Sequence, residues 1–486
     1  MKNLLFNFTS FKTILFWGLF FRLITAVFSE GYGMHDDHFL TIETPSSWVH
    51  GRNEGGWLPI NSEFKGEPQG HSLTYVGLNY IYFSFCKIIH INDPKLIMIL
   101  NRLIIGCLSI FVVYFGFLIT QVLSTRKDAV TVGWLLSLLW IFPFLSVRNL
   151  VEMISIPFLC YGVWLLIKSK GIKELILGGV FVGIAISFRF QIAIFSIGIA
   201  LFYISKFDIK SLIFFTLGNL ISFCILQGVV DFIIWKYPFA EFLGYVKYNL
   251  NEGTKYLPNT NYFMYFYVLF GVLLFPFGLL VGLGFFRNLN KNQILFYPTM
   301  LFILFHTFYP NRQERFILTI LPFFIILGVI GFNYFKNKVL LPKLWLFSWR
   351  FFWVLNIPLL LFFTFASTKK SRVDAMYSLF HTELKSPKIL MEGSGDASIS
   401  MMPKFYSNKW DATFIPTTEL LTDTLYRPNF IFFCGKKDLS LRVNYYKKKY
   451  KKILLHKVCE PSLIDRIVHN LNPRNVNEYI EVWKVN

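Results

Sequence analysis

The sequence predicts an all-α polytopic membrane protein that carries a small extracytoplasmic α/β domain at its C-terminal end. Of its 486 residues, 54% are hydrophobic and only 16% are charged, a balance far from that of a soluble domain of this size. Apolar runs long enough to cross a bilayer, about 20 residues, recur up to residue 366. Beyond that point the runs shorten to strand length. We therefore predict a transmembrane domain at 1–366 and a soluble α/β domain at 367–486.

The apolar runs predict about eleven transmembrane helices and one juxtamembrane or re-entrant helix. The first run follows Lys2 and Lys12, contains Arg22 and lacks a small-residue cleavage site, so we interpret it as a retained span rather than a signal peptide. The run at 73–91 is expected not to cross, because only then does one topology place every basic loop on the same side. The predicted spans are 13–29, 96–121, 129–145, 150–167, 174–188, 191–204, 211–230, 262–286, 293–308, 314–334 and 344–365.

Lysine and arginine outnumber aspartate and glutamate by 48 to 28, which gives a net charge of +20. Membrane topology explains this excess without a nucleic-acid partner, because Lys and Arg collect in cytoplasmic loops. Placing the basic loops in the cytoplasm puts the N-terminus inside and the C-terminal domain outside. The basic loops are 126–127, 168–173, 206–210, 287–291 and 336–343, and the loops predicted on the outer face are 30–72, 146–150, 188–191, 231–261 and 309–313.

The C-terminal region is expected to form strands at 388–392, 429–434 and 452–455, with a helix near 438–450. Its basic run at 447–452 is interpreted as a solvated or headgroup-facing surface. The six cysteines have no CxxC spacing, so neither a zinc ribbon nor a disulfide framework is indicated.

The first outer loop contains paired carboxylates, Asp36 and Asp37, shortly after the first span. A carboxylate near the membrane interface can act as a base on a sugar hydroxyl. Two alternatives stay open: an ordinary solvated loop, and a metal site formed by His35, Asp36 and His38, whose spacing matches no specific ligand pattern. No cofactor is predicted, although a divalent metal is not excluded.

Arginines lie on the same predicted outer face, where charged side chains at membrane depth are costly and usually functional. Guanidinium groups bind phosphate bidentately and stabilise the charge of a departing lipid phosphate. The alternative is that Arg148 with Glu152, and Glu314 with Arg315, neutralise each other between helices. The residues in question are Arg148, Glu152, Arg189, Gln191, Arg312, Glu314 and Arg315.

Other polar residues on this face suit a sugar-phosphate ligand. His306 ends a span, six residues before Arg312, and either binds a leaving phosphate or is an interfacial histidine. Asp231, Trp235 and Asn249 lie among aromatics suited to stacking on sugars, although interfacial aromatics are also ordinary anchors. The absence of P-loop, GxGxxG, HExxH and GxSxG motifs argues against nucleotide-sugar chemistry of the soluble type.

These motifs resemble the lipid-linked mannosyltransferases of glycosyltransferase family 22, the dolichyl-phosphate-mannose-dependent enzymes of the GT-C superfamily. The segment 34–43 is similar to the family motif H-P-D-E-x-F-Q-x-x-E, with Asp36 on its aspartate and Asp37 on its glutamate. Met34, His35 and Leu40 depart from the family's His, Pro and Gln. Further similarities are at His71–Leu73 to R-S-x-L, at Arg148, Asn149 and Glu152 to R…N…E, at Arg189–Gln191 to an arginine element, at 231–265 to a D…W…N…Y region, and at Asn311–Phe316 to H-K-E-x-R-F.

The resemblance implies a GT-C fold and an enzyme that takes mannose from a dolichyl- or polyprenyl-phosphate donor. It implies transfer, with inversion, to a lipid-linked glycan or glycolipid. Heavy use of Lys, Ile, Phe and Asn suggests an AT-rich genome and favours a bacterial inner membrane with the active site facing the periplasm; the alternative is the endoplasmic reticulum membrane facing the lumen. A glycolipid flippase and a polyprenyl-diphosphate glycan ligase or polymerase are the alternatives. The implied roles are catalytic for Asp36 and Asp37, substrate-binding for Glu43, Arg148, Glu152, Arg189, Gln191, His306, Arg312, Glu314 and Arg315, and acceptor-binding for Asp231, Trp235 and Asn249.

Overall fold

The computed structural model describes residues 7–59, 67–251, 261–336, 342–393, 402–417, 427–471 and 479–486. The chain divides into two compact units, which are described separately. The helical unit contains residues 1–26, 56–77 and 102–364, and the mixed unit contains residues 27–55, 78–101 and 365–486. The predicted division at residue 366 stays a prediction.

Six helices of the described chain are long and apolar enough to cross a membrane. Helices Met264–Val272 and Phe277–Asn290 form a seventh candidate, bent by 119°, if they are counted as one span. This confirms a protein with several membrane-spanning helices, whereas the predicted count of eleven is not confirmed. The six helices are Phe11–Phe28, Pro94–Leu123, Val151–Lys168, Ile209–Trp235, Glu314–Phe332 and Pro342–Phe365.

Several predicted spans are shorter or interrupted, which explains the difference in number. The predicted span 129–145 consists of helices Arg126–Leu138 and Phe142–Leu145, with Pro143 at the start of the second, where the missing N–H of proline is tolerated. Other predicted spans are helices of 14 to 17 residues, which at 1.5 Å per residue reach only about 21 to 26 Å. These short helices are Ile172–Phe188, Ile192–Ser205 and Gln293–Phe308, and the run at 73–91 contains helix Leu73–Ile88.

Glycines bring helices of the helical unit into close contact. A Cβ atom on Gly179 would lie 2.1 Å from the carbonyl oxygen of Phe215, and one on Gly183 would lie 2.1 Å from the Oγ of Ser222. Helix Ile172–Phe188 therefore packs backbone to backbone against helix Ile209–Phe223, as small residues allow in membranes. This packing fixes the helix end that is followed by Arg189.

Arg22, inside the first span, is buried among helix backbones. Its Nε donates to the Oγ of Ser109 at 2.9 Å, and its terminal nitrogens donate to the carbonyl oxygens of Gly18, Leu136 and Ser137. A charged side chain is tolerated in this apolar region because its donors are satisfied by neighbouring helices. Arg22 therefore has a structural role in joining three helices.

The mixed unit contains a five-stranded sheet, whose strands are β1 Lys388–Gly393, β2 Thr413–Pro416, β3 Phe430–Cys434, β4 Ile453–Cys459 and β5 Ile480–Val485. They lie in the order β2-β1-β3-β5-β4. Strand β1 is parallel to β2 and β3, and β5 is antiparallel to β3 and β4. This confirms the small C-terminal sheet. The helices of this region are Lys370–Phe380, Leu439–Tyr450 and Leu463–Leu471.

The core of the mixed unit includes side chains from distant parts of the chain. Ile42, from the segment after the first span, shares one apolar cluster with Met376, Tyr406 and Phe430. The segment that carries the paired carboxylates is therefore part of this unit. No disulfide joins the six cysteines, all of which lie in the described part of the chain.

Candidate active site

Helix ends position the polar residues of the helical unit. Helix Ile172–Phe188 stops one residue before Arg189, and the next helix begins at Ile192. Arg189 and Gln191 therefore lie in the short turn between two apolar helices. Glu152 lies in the first turn of helix Val151–Lys168, and Arg315 lies in the first turn of the 3₁₀ helix Glu314–Ile320.

Glu152 forms ion pairs with two arginines, Arg189 and Arg315, which lie far apart in the sequence. Its Oε1 lies 3.0 Å from an Nη2 of Arg189 and 3.7 Å from the Nε of Arg315. The carboxylate is fully buried and both guanidinium groups are mostly buried. One interpretation of the sequence pairs Glu314 with Arg315. In the structure Arg315 pairs with Glu152 instead, and Glu314 is exposed. Local spacing suggests partners one helical turn away, whereas this pairing depends on tertiary packing.

We call Glu152, Arg189, Arg315 and the neighbouring ring of Phe316 the arginine cluster. The guanidinium carbons of Arg189 and Arg315 lie 5.1 and 5.8 Å from the centre of the Phe316 ring, within range of a cation–π interaction. Arg189 Nε donates to Gln191 Oε1 at 3.1 Å. The cluster contains two positive charges and one negative charge, so it has a net positive charge that favours an anion.

His306 lies beside this cluster, with its ring centre 6.0 Å from that of Phe316. Its Nδ1 lies 2.9 Å from the carbonyl oxygen of Phe302, which fixes the hydrogen on Nδ1 because a carbonyl only accepts. The Nε2 is buried and has no hydrogen-bond partner among the described residues. A ligand oxygen could therefore bond to it when the ring is protonated.

Arg312 and Arg148 have different surroundings from the arginine cluster. Arg312 donates its Nε to the carbonyl oxygen of Thr307 at 2.7 Å, and its guanidinium carbon lies 4.3 Å from the Tyr262 ring centre. The buried guanidinium group of Arg148 lies 4.5 Å from the ring centre of Phe144. Each of the two arginines is thus oriented by an aromatic ring.

The predicted acceptor-binding residue Asp231 is buried and makes contacts within the protein. Its Oδ2 accepts from Gln227 Nε2 at 2.8 Å and from the backbone N–H of Glu241 at 2.9 Å. It thereby satisfies an N–H in the first turn of helix Ala240–Asn251. Trp235 is also buried. Acceptor binding by these two residues stays a prediction.

Sequence reasoning missed Glu241, which connects two segments of the helical unit. Its Oε2 accepts from the backbone N–H groups of Gly70 and His71 at 2.8 and 3.1 Å. Burial is the main reason that the pKa of Glu241 is raised to about 7. No local motif marks this residue, because its partners are about 170 positions away.

Asn249 and Tyr245 extend the arginine cluster along helix Ala240–Asn251. Asn249 Oδ1 accepts from the Tyr309 hydroxyl at 2.8 Å. Burial raises the pKa of Tyr245, while the Arg189 charge and a hydrogen bond with Gln191 act in the opposite direction. The helix therefore places Tyr245 beside Arg189 and Gln191, with Asn249 one turn further along and bonded to Tyr245.

The paired carboxylates differ in exposure within the mixed unit. Helix His35–His38 carries both residues, and Asp36 is exposed whereas Asp37 is buried. The backbone carbonyl of Asp37 accepts from Thr41 Oγ1 at 2.6 Å. An exposed carboxylate beside a fixed helical turn can receive a proton from an incoming hydroxyl.

Glu43 and His38 form a buried pair that holds this segment in place. The Glu43 carboxylate accepts from the Phe405 backbone N–H at 2.9 Å and lies 3.1 Å from His38 Nε2. The His38 ring stacks on Tyr32, with the ring centres 4.1 Å apart. Burial lowers the pKa of His38 to about 3 and raises the pKa of Glu43 well above its usual range. Both shifts favour an uncharged pair. The predicted substrate contact of Glu43 stays a prediction.

In the described part of the chain, no three His, Cys, Asp or Glu side chains are grouped as metal ligands would be. The His35 side chain lies outside the described residues, so the hypothesis of a metal bound by His35, Asp36 and His38 stays untested. The residues with described side chains give no support to such a site.

The apolar helices and the family match of the sequence identify a membrane-integrated glycosyltransferase. The chain belongs to the Alg9-like mannosyltransferase family, whose sequence profile matches residues 13–408. This confirms the resemblance to glycosyltransferase family 22. No curated protein sequence matches the chain significantly.

Solved structures share the fold at low sequence identity. ArnT from Cupriavidus metallidurans, in the apo state and bound to undecaprenyl phosphate, has a TM-score of 0.63 at 8% identity, with 96% of this chain and 97% of that chain covered. The Archaeoglobus fulgidus oligosaccharyltransferase in complex with Zn and sulfate has a TM-score of 0.52 at 13% identity, covering 83% of this chain and 62% of that chain. These likenesses confirm the predicted GT-C type of fold.

Proposed function

We propose that this enzyme transfers mannose from a polyprenyl-phosphate carrier to a lipid-linked glycan or glycolipid, with inversion at the anomeric carbon. The observation that carries the proposal is the arginine cluster, in which the buried carboxylate of Glu152 pairs with both Arg189 and Arg315. Family membership supports the sugar. The structurally similar ArnT has been solved with undecaprenyl phosphate bound, which supports the carrier.

In this proposal the arginine cluster binds the phosphate of the donor. Negative charge accumulates on that phosphate as the bond to the sugar breaks, so guanidinium groups fixed before the reaction stabilise the transition state more than the ground state. Arg312 and the unpartnered Nε2 of His306 are further candidates for the phosphate oxygens. Arg148, Gln191 and Glu314 are proposed as further substrate-binding residues.

Asp36 is proposed as the general base. It removes the proton from the acceptor hydroxyl, the oxygen attacks the anomeric carbon from the face opposite the phosphate, and polyprenyl phosphate leaves with the bonding electrons. Exposure of Asp36 keeps its carboxylate accessible to an acceptor. Asp37 is the second catalytic candidate. Asn249, Asp231 and Trp235 are proposed for the acceptor side.

We infer that the basic loops face the cytoplasm and that the reaction takes place on the opposite face of the membrane. A polyprenyl-phosphate sugar is already activated, so no nucleotide is needed on that face. Frequent Lys, Ile, Phe and Asn suggest an AT-rich genome. We therefore favour a bacterial inner membrane, with the active site facing the periplasm, over the endoplasmic reticulum.

The test is a transfer assay with the full-length protein in nanodiscs and radiolabelled polyprenyl-phosphate mannose. Candidate lipid-linked glycans and glycolipids serve as acceptors, and a polyprenyl-diphosphate glycan serves as the competing donor. We expect label transfer by the wild type, none by Asp36→Asn, and wild-type transfer by the matched control Glu67→Gln, an exposed acid of the same loop. Undiminished turnover by Asp36→Asn removes the proposed base, and transfer only from the diphosphate donor removes the proposed carrier.

A further inference from the structure

Helix Leu463–Leu471 in the mixed unit separates its apolar and polar side chains completely. At about 100° per residue, its five apolar residues fall within an arc of about 140°. The polar residues occupy the remaining circumference. The apolar residues are Leu463, Ile464, Ile467, Val468 and Leu471, and the polar residues are Asp465, Arg466, His469 and Asn470.

The described residues of the chain leave most of this apolar face uncovered. Only Ile464 is buried, while Leu463 is 62%, Ile467 42%, Val468 38% and Leu471 82% exposed. Isolated exposed apolar residues are common, but a continuous apolar helix face indicates an interaction surface. On the polar side, Arg466 forms a surface ion pair with Glu460 at 2.9 Å.

Hydrogen bonds tie the start of this helix to the residues that follow a membrane-spanning helix. Asp465 Oδ1 accepts from the Lys369 backbone N–H at 2.9 Å, and the Ser462 hydroxyl donates to the carbonyl oxygen of Ser367. Helix Pro342–Phe365 ends only two residues before Ser367. The amphipathic helix therefore begins where the chain leaves an apolar span.

A second span ends at the same place. Phe28, the last residue of the first span, has its ring centre 5.7 Å from that of Phe365, and both rings are exposed. The Thr368 backbone N–H donates to the carbonyl oxygen of Glu30 at 3.1 Å. The last residues of two apolar spans and the start of the amphipathic helix therefore lie together in the mixed unit, where the chain leaves its long apolar runs.

We propose that helix Leu463–Leu471 is an interfacial anchor, whose Leu463, Ile467 and Leu471 side chains insert among the lipids of the membrane that the protein spans. The surface fits lipid better than a protein partner. A nine-residue helix is only about 14 Å long, so its apolar face is smaller than the roughly 800 Å² per partner that a stable protein interface buries. Amphipathic helices of this kind lie at the boundary of headgroups and acyl chains.

The test measures the accessibility of spin labels to oxygen, which concentrates in lipid, and to a water-soluble nickel chelate. The full-length protein is reconstituted in nanodiscs of zwitterionic and anionic phospholipid, after the exposed native Cys107 and Cys224 are replaced by Ser. Labels are attached to Leu471→Cys and, as a second position, Ile467→Cys. The matched control is Leu441→Cys, an equally exposed leucine on helix Leu439–Tyr450 of the same unit.

We expect the ratio of oxygen to nickel accessibility to be several-fold higher at positions 467 and 471 than at position 441. A ratio equal to that of the control would place the helix in water and overturn the proposal. Protection of positions 467 and 471 from both reagents would mean that protein covers this face, which also overturns it. Because position 471 is almost fully exposed, the substitution is not expected to disturb folding.

Discussion

Glu152 determines the charge and the geometry of the arginine cluster. One buried carboxylate holds Arg189 and Arg315, which come from segments about 125 residues apart. A single carboxylate cannot neutralise two guanidinium groups, and an anionic ligand would compensate the remaining charge. If the cluster binds the donor phosphate as proposed, its guanidinium groups are already in place before the substrate arrives, as electrostatic preorganisation requires.

Replacing Arg315 by Gln should lower kcat/KM for the polyprenyl-phosphate sugar about 10- to 100-fold, because a hydrogen bond to a charged group is typically worth about 1.5–3 kcal/mol. Steady-state kinetics with varied donor concentration measures this. Arg126→Gln, an exposed arginine at the start of helix Arg126–Leu138, is the matched control and should keep wild-type values. An unchanged kcat/KM in Arg315→Gln would contradict phosphate binding by the cluster.

Glu241 should make stability depend on pH. Its pKa in the folded protein is raised to about 7 from the usual glutamate value of 4.5, so between these two pH values the folded protein keeps a proton that the unfolded chain loses. Stability should therefore fall as pH rises from about 4.5 to 7, by up to about 3 kcal/mol. Glu241→Gln keeps an oxygen acceptor for Gly70 and His71 but cannot ionise.

Thermal unfolding in detergent at pH 5 and pH 8 checks this expectation. The Tm of Glu241→Gln relative to wild type should be higher at pH 8 than at pH 5. Glu67→Gln, an exposed acid, should show the same difference from wild type at both pH values. A pH-independent difference for Glu241→Gln would show that this carboxyl does not titrate in the expected range.

At the scale of elements, close helix packing positions the arginine cluster. Gly179 allows helix Ile172–Phe188 to contact the backbone of helix Ile209–Phe223, and Arg189 follows directly at the end of the first of these helices. A shift of that helix would move Arg189 relative to Glu152. The geometry of the site therefore depends on residues that make no contact with substrate.

Gly179→Ala should destabilise the protein by roughly 1–3 kcal/mol, because the new Cβ would lie 2.1 Å from the Phe215 carbonyl oxygen and the helices must separate. Gly271→Ala, where a Cβ meets nothing within 4 Å, is the matched control and should leave Tm unchanged or raise it slightly. Thermal unfolding of the purified variants measures both. Equal Tm values for the two variants would show that the close packing does not limit stability.

Local hydrophobic pattern predicted the elements well where the chain is continuous. Helices Pro94–Leu123 and Val151–Lys168 fall within a few residues of the predicted runs 96–121 and 150–167. The breaks were not predictable in the same way. The run 211–230 continues through a π-helical segment at Cys224–Val229, and an apolar run gives no signal for such a change of hydrogen bonding.

The site was predicted in part, for a related reason. Costly charges in apolar surroundings identified Arg189 and Arg315 from the sequence, and the structure brings both to Glu152. The pairing itself, and the contribution of Glu241, depend on segments far apart in the chain. Sequence spacing describes neighbours along a helix, so these contacts required the three-dimensional structure.

At the scale of the whole molecule, the distribution of charge predicts the orientation in the membrane. With impermeant maleimide on intact cells or sealed vesicles, Asp36→Cys should label from the outside, whereas Lys170→Cys, in a basic loop, should label only after permeabilisation. Both positions are exposed, and the background again lacks Cys107 and Cys224. Labelling of both positions from one side would contradict the proposed orientation.

The location of the donor phosphate tests the central claim most directly. A cryo-electron microscopy structure of the full-length enzyme with polyprenyl-phosphate mannose should show phosphate oxygens about 3 Å from guanidinium nitrogens of both Arg189 and Arg315. A donor whose phosphate binds elsewhere, out of contact with both arginines, would contradict the account.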